Sequence, residues 1–257
     1  MMRGMANRGM MLAGMLFVAM PAFSQSVPVA NTANMAAAMA NFSTSSAAPA
    51  LQVPGGGGSG WGSIGVGVYG QTARGTPARA DGSLGLNFGL FDPAKYFGLD
   101  LSVSFTSLTG ANGSRAFDAG TLGYKLHTNL PGLVSFGIGA TSVQRWGVAK
   151  ANKADEYASL SKYFPMGAYA LSATVGVGDG GFTTDGKGVA GYGSLAFYLT
   201  PRISFIGEFT GRFTNFAVSW APLRLHPLSV TLGAVNLTQW HGLDTQVAAS
   251  VGYGFGF

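Results

Sequence analysis

The chain has 257 residues, of which 10% are charged and 47% hydrophobic, with 41 glycines and a net charge of +5. An ordinary soluble domain carries roughly 25% charged residues, so this composition argues against a surface solvated by water and for one solvated by lipid. The basic residues are scattered, without the Lys/Arg stripe of a nucleic-acid binder, and the lack of cysteine excludes disulfides, Cys-ligated metals and a lipidated N-terminal Cys.

Residues 1–24 have the three parts of a secretory signal peptide: Arg3 and Arg8, the apolar run Met10–Met20, and small Ala22 and Ser24 before the cleavage point. The apolar run is too short for a membrane helix, which needs about 20 residues. No later stretch is long and apolar enough either, so any membrane crossing must be made by a closed sheet.

Residues 25–60 are low in complexity and end in the glycine-rich Pro54–Gly60. They read as a disordered N-terminal segment, a flexible linker by composition. A short Ala/Met helix is expected within Asn31–Phe42. Whether the segment is a periplasmic tail or a plug for a lumen stays open at this point.

From Trp61 the pattern changes to period-2 alternation. Leu84, Leu86, Phe88 and Leu90 oppose Gly85, Asn87 and Gly89; Leu99, Leu101, Val103 and Phe105 oppose Asp100, Ser102, Ser104 and Thr106. The same split recurs around Phe136, Val175 and Val230, and runs through Val247, Ala249, Val251, Tyr253, Phe255 and Phe257 at the C-terminus. One face is large and apolar, the other small or polar, which is the pattern of a transmembrane barrel. About twelve strands are expected, near residues 61–72, 82–91, 98–108, 116–127, 132–142, 155–163, 167–178, 189–200, 202–210, 215–222, 228–238 and 243–257.

Short, Pro-marked connections alternate with longer polar ones, placing the former at the periplasmic side and the latter outside. Folding Ile203–Leu223 about Arg212 and Phe213 sets Phe205 against Trp220, Gly207 against Val218, Phe209 against Phe216, Glu208 against Ala217 and Ile206 against Ser219. Folding about the loop Thr109–Arg115 sets Asp100 against Lys125, with His127 one step below; opposed Cβ atoms lie about 4.5–5.5 Å apart. Trp61, Phe97, Tyr163, Trp220 and Phe257 are expected to form a periplasmic aromatic girdle. Lys162 shares the lipid-facing side with Leu160 and must snorkel.

The ending SVGYGFGF, with Tyr253, Phe255 and terminal Phe257, resembles the C-terminal recognition signal of bacterial outer-membrane barrels. That resemblance implies a bacterial outer-membrane location and the barrel-insertion machinery and outer-membrane lipid as partners. The pieces YKLHTNLPG, YASLSKYFP, GEFTGRFTNFAVSWAP and VTLGAVNLT are similar to elements of outer-membrane proteins associated with exopolysaccharide export. They imply a role in envelope polysaccharide traffic alongside export components, and no catalytic residue.

Catalytic chemistry finds little footing. His127 and His226 belong at the periplasmic side, and His241, in TQWHG, has no acid or Ser motif beside it. Asp118, Asp179 and Asp185 are loop acids without a partnering pattern. Asp179–Gly188 is a turn-rich surface loop that lacks the ligand spacing of a Ca²⁺ site, so no metal or cofactor is expected.

The inward polar residues are Asn87, Asp100, Lys125, His127, Glu208, Asp244 and Gln246. They select solutes if the lumen is open, or only satisfy one another if it is filled. The sequence therefore points to an all-β, antiparallel up-and-down transmembrane barrel over residues 61–257. It is read as a pore or export-associated channel for small solutes or envelope polysaccharide. The alternative is a structural or adhesive barrel with a closed lumen that acts through its outer loops.

Overall fold

The computed structural model describes residues 46–74, 79–106, 108, 117–151, 154–239 and 244–256. The signal peptide expected over residues 1–24, the helix expected within Asn31–Phe42, the loop Thr109–Arg115, His241 and Phe257 lie outside them. Twelve antiparallel strands are formed: β1 (Ser63–Arg74), β2 (Arg79–Leu90), β3 (Gly98–Thr106), β4 (Ala119–Leu130), β5 (Val134–Trp146), β6 (Asp155–Met166), β7 (Tyr169–Gly178), β8 (Ala190–Thr200), β9 (Ile203–Phe209), β10 (Thr214–Trp220), β11 (Leu228–Val235) and β12 (Gln246–Gly256). Each pairs with its sequence neighbours, and β12 pairs back onto β1 from Ser63↔Gly256 to Gln71↔Ala248. Closure removes the sheet edges that lipid cannot satisfy.

The alternation in the sequence becomes the two faces of the wall. In β9, Phe205 and Phe209 face out while Ser204, Ile206 and Glu208 are buried inside. In β6, Leu160 and Lys162 face out between buried Ser159, Ser161 and Tyr163. The Lys162 ammonium lies over the Phe164 ring, 5.0 Å from its centroid, which directs it along the wall toward the short-turn end. The exterior is a continuous apolar band, with Leu101, Ile138, Val175, Leu195, Leu232 and Val251 exposed on six different strands. Such a band suits a bilayer core and would be an aggregation surface in water.

Aromatic side chains gather at both rims. Trp61, Tyr96, Phe97 and Trp220 are exposed at the short-turn end, and Phe105 meets both Phe117 and Trp146 edge-on at the long-loop end. Tyr163 does not join the girdle. It is 8% exposed and packs edge-on to Tyr198 inside the barrel, because the alternation that turns Lys162 outward turns its neighbour inward.

The β9–β10 hairpin is offset by two residues from the register expected of it. Phe205 pairs with Val218, Gly207 with Phe216, Phe209 with Thr214, Glu208 with Asn215 and Ile206 with Ala217. The turn centres on Gly211 and Arg212. Gly211 has φ +91°, which places a glycine-favouring conformation at the first central position of a two-residue hairpin turn. Thr210 N–H donates to the Phe213 carbonyl at 3.0 Å and closes it.

Candidate functional site

The site is the lumen, and its chief occupant is the chain itself. Residues 46–60 enter at the short-turn end beside the β8–β9 turn, where Ala47 N–H donates to the Pro201 carbonyl at 3.0 Å. The segment climbs along β8–β10 to Leu51–Val53, crosses the lumen past β6, and descends along β4, β3 and β2 into Trp61. Its contacts therefore fall on opposite sides of the barrel.

On the ascending side the Tyr198 hydroxyl and the Ser204 hydroxyl donate to the carbonyls of Ala47 and Ala48, at 3.2 and 2.7 Å. Ala48 N–H donates to Ser219 Oγ at 2.9 Å. At the top, the N–H groups of Leu51, Gln52 and Val53 converge on Glu208 Oε2 at 2.9, 2.8 and 3.1 Å. Asn215 Nδ2 donates to Glu208 Oε1 at 2.8 Å and to Gln52 Oε1 at 2.9 Å. Gln52 Nε2 reaches the Tyr69 hydroxyl at 2.8 Å. Successive backbone N–H groups around one oxygen form an anion nest, so the buried Glu208 carboxylate is held by hydrogen bonds without a counter-charge.

On the crossing and descending side Ser159 Oγ donates to the Pro54 carbonyl at 3.0 Å, and Gly56 N–H donates to Ser161 Oγ at 2.9 Å. Lys125 Nζ donates to the Gly57 carbonyl at 2.6 Å and lies 3.2 Å from Asp100 Oδ2. Asp100 Oδ1 accepts from Ser59 N–H at 3.1 Å and lies 3.7 Å from His127 Nε2. Asn87 Nδ2 donates to Ser59 Oγ at 3.1 Å. Asp100 pairs with Lys125 directly across β3–β4, and His127 pairs with Gly98 one inward step further down.

Glycine is what lets the descending arm lie so close. A Cβ at Gly56 would overlap the Ser135 carbonyl of the wall, and one at Gly58 would overlap the Asp100 carboxylate and come within 2.5 Å of His127 Nε2. The wall matches this, for a Cβ at Gly89 would meet the Gly60 carbonyl. The apolar side chains of the segment also find partners. Leu51 belongs to one buried apolar cluster with Tyr69, Ile206 and Val235, and Val53 to another with Phe182 and Tyr192.

On the β6–β10 side the long-loop end carries an inward-folded cap. Asp179–Thr183, read from sequence as surface loop, folds into the mouth, with Phe182 and Thr183 buried. Phe182 stacks on Tyr192 with centroids 4.5 Å apart. Arg212 holds this turn through the carbonyls of Gly180 and Thr183, and Asp155 Oδ1 accepts from Gly181 N–H at 2.7 Å. Asp185, further along the loop, is exposed.

Asn87, Asp100, His127, Glu208 and Gln246 are buried on the inward face, and Lys125 is half-buried beside Asp100. Asp244 is not among them. It is exposed and precedes β12, whose alternation starts only at Gln246. Tyr69, Tyr192, Tyr198 and Asn215, all buried on the inward face, were not singled out from sequence, although for Tyr192, Tyr198 and Asn215 parity with inward serines of the same strand was the signal. His226 Nδ1 lies 3.3 Å from the Tyr253 hydroxyl at the short-turn rim, and Phe255 is exposed beside Tyr253.

No protein-family model matches the chain, and no curated protein matches it. Solved structures do. An outer membrane channel from Pseudomonas putida F1 is 12% identical, with a TM-score of 0.47 over 77% of this chain and 97% of that one. Wzi, a carbohydrate-binding barrel involved in group 1 capsule assembly in Escherichia coli, is 14% identical, with a TM-score of 0.33 over 68% of this chain and 52% of its own. A mutant Rh. blastica porin is 11% identical, with a TM-score of 0.31 over 75% of this chain and 99% of that one. No residue role is carried over from any of them.

Proposed function

We propose that this protein is an outer-membrane pore for small hydrophilic solutes, held closed by its own segment Ser46–Gly60. The observation that carries the reading is how the segment is seated. Its peptide groups bond to serine, tyrosine, lysine and carboxylate side chains of the wall, its Gln52 and Ser59 side chains accept from Asn215 and Asn87, and water can replace each of these bonds if the segment leaves. Small inward residues such as Gly137, Ser161 and Ser219 leave room for a passage, and twelve strands lie between filled eight-stranded barrels and open sixteen-stranded porins.

The reading assigns the protein no catalytic chemistry. It takes the C-terminal aromatics as the signal read by the insertion machinery, consistent with Phe255 lying exposed on the lipid face. The envelope-polysaccharide role rests on the sequence resemblance and on the hydroxyl-rich lining, which suits a polyhydroxylated solute.

Single-channel recording tests the pore. The parent chain should be mostly closed. G56V/G58V, whose added side chains collide with the wall and with Asp100 and His127, should show long, large openings while keeping heat-modifiable migration on a gel. A folded G56V/G58V variant as silent as the parent would overturn the pore and favour a closed barrel that acts through its outer loops.

A further inference from the structure

Glu208 stands apart from the other lumen charges. Asp100 has Lys125, and Asp155 and Arg212 oppose one another in charge at the capped mouth. Asp81 lies buried near the loop end of β2. Among the described residues no cation is paired with Glu208, which is 3% exposed and sits inside the passage on β9. Of the four donors around it, three are backbone N–H groups of the segment, and only Asn215 belongs to the wall.

Withdrawal of the segment removes those three donors at once. A fixed carboxylate is then left facing water inside a barrel, where low-dielectric walls strengthen its field. The group that will replace the lost N–H donors is a mobile cation: a hydrated alkali ion or the ammonium of a small amine. We propose that Glu208 has two roles, as the catch that seats the closed segment and as the cation-selecting site of the open lumen. The proposal rests on the pore reading above and names the charge class that the pore favours. The Asp100–Lys125 pair contributes little to this preference, because its two charges stay side by side whether or not the segment is present.

The two roles make opposite demands on one substitution. E208Q keeps the shape but turns one acceptor oxygen into a donor amide, so the catch weakens and the selective charge is lost. In the parent background E208Q should raise the open probability. In the G56V/G58V background E208Q should leave conductance near that of the opened parent, and the cation preference should fall toward none. The measurement is the reversal potential across a bilayer under a KCl gradient, with and without E208Q on the full-length G56V/G58V chain. A several-fold cation preference that E208Q abolishes supports the proposal. Open channels whose reversal potential E208Q does not move overturn it and leave the pore standing. A folded chain without openings overturns the pore and this proposal together. If G56V/G58V fails to assemble, G58V alone gives the same comparison, since its added Cβ meets side chains of the wall and not its backbone.

Discussion

Asp100 and Lys125 face each other directly across β3 and β4, and the ammonium that pairs with the carboxylate also donates to the Gly57 carbonyl of the segment in the lumen. The pair is thus both a wall element and part of the seat. Asp100 completes the arrangement by accepting from Ser59 N–H, two residues further along the same segment. Charge that would be costly inside a barrel is compensated twice, once across the strands and once by peptide groups of the descending arm.

Removing one member should therefore be worse than removing both. K125M leaves Asp100 buried beside His127 without its cation, and breaking a buried pair costs about 3–5 kcal/mol. Adding D100N to K125M should recover much of that loss, since no buried charge then lacks a partner. Urea unfolding of the detergent-folded barrel, followed by tryptophan fluorescence, measures both. Equal stability of K125M and the parent would mean that water reaches the pair and screens it.

The lipid-facing assignment is tested on β8. Leu195 lies mid-strand and is 56% exposed, while its neighbours Ser194 and Ala196 are buried. L195K should destabilise the folded barrel in bilayers by about 2–4 kcal/mol, the cost of Lys near the membrane midplane. L199K, at the rim, should cost much less because the ammonium can reach the headgroups. Equal effects at the two positions would mean that the band is not in contact with hydrocarbon.

The wall was legible in the sequence because a barrel strand repeats one choice every second residue, and the chain keeps that choice from β1 to β12. What the alternation cannot register is a slip of two. Shifting β10 by two residues leaves every side chain on its expected face, so only turn geometry separates the register expected from sequence from the one found. Gly211 carried that information. Tyr163 went astray for a related reason: nearness to a strand end suggested the girdle, but parity with outward Leu160 and Lys162 decides its direction. The segment in the lumen was out of reach by pattern. Its strongest anchor, the nest on Glu208, is made by the backbone of Leu51, Gln52 and Val53, and backbone donors are the same in any sequence. Only the run of glycines was a sign, and glycine serves a flexible linker as well as it serves close approach.

Gly211 gives the next prediction. At φ +91° an alanine is strained, and its Cβ would meet the Phe182 carbonyl. G211A should cost about 1–3 kcal/mol. The loss should centre on the cap, because Arg212 in the same turn holds the carbonyls of Gly180 and Thr183. Limited proteolysis of folded protein should cut the Asp179–Gly188 loop faster in G211A than in the parent, with the barrel fragment intact. Unchanged cleavage would uncouple the β9–β10 turn from the cap.

The seat of the ascending arm can be trapped covalently. Ala48 N–H donates to Ser219 Oγ at 2.9 Å, so the two residues lie side by side, buried at the short-turn end of the lumen. The chain has no cysteine of its own, and A48C/S219C therefore offers one possible intramolecular bridge. A bridge needs Cβ atoms about 3.5–4.5 Å apart, a spacing that small fluctuations of the arm can reach. Under mild oxidation the double variant should form a bridge that shifts its gel migration, and either single variant should not. Placed in the G56V/G58V background, the bridge pins the ascending arm while the descending arm stays displaced. Openings should then become shorter and smaller under oxidation and recover on adding reductant. A double variant that resists oxidation while folded would mean that the segment does not occupy this side of the lumen. A bridge that forms without altering the openings would mean that the descending arm alone closes the passage.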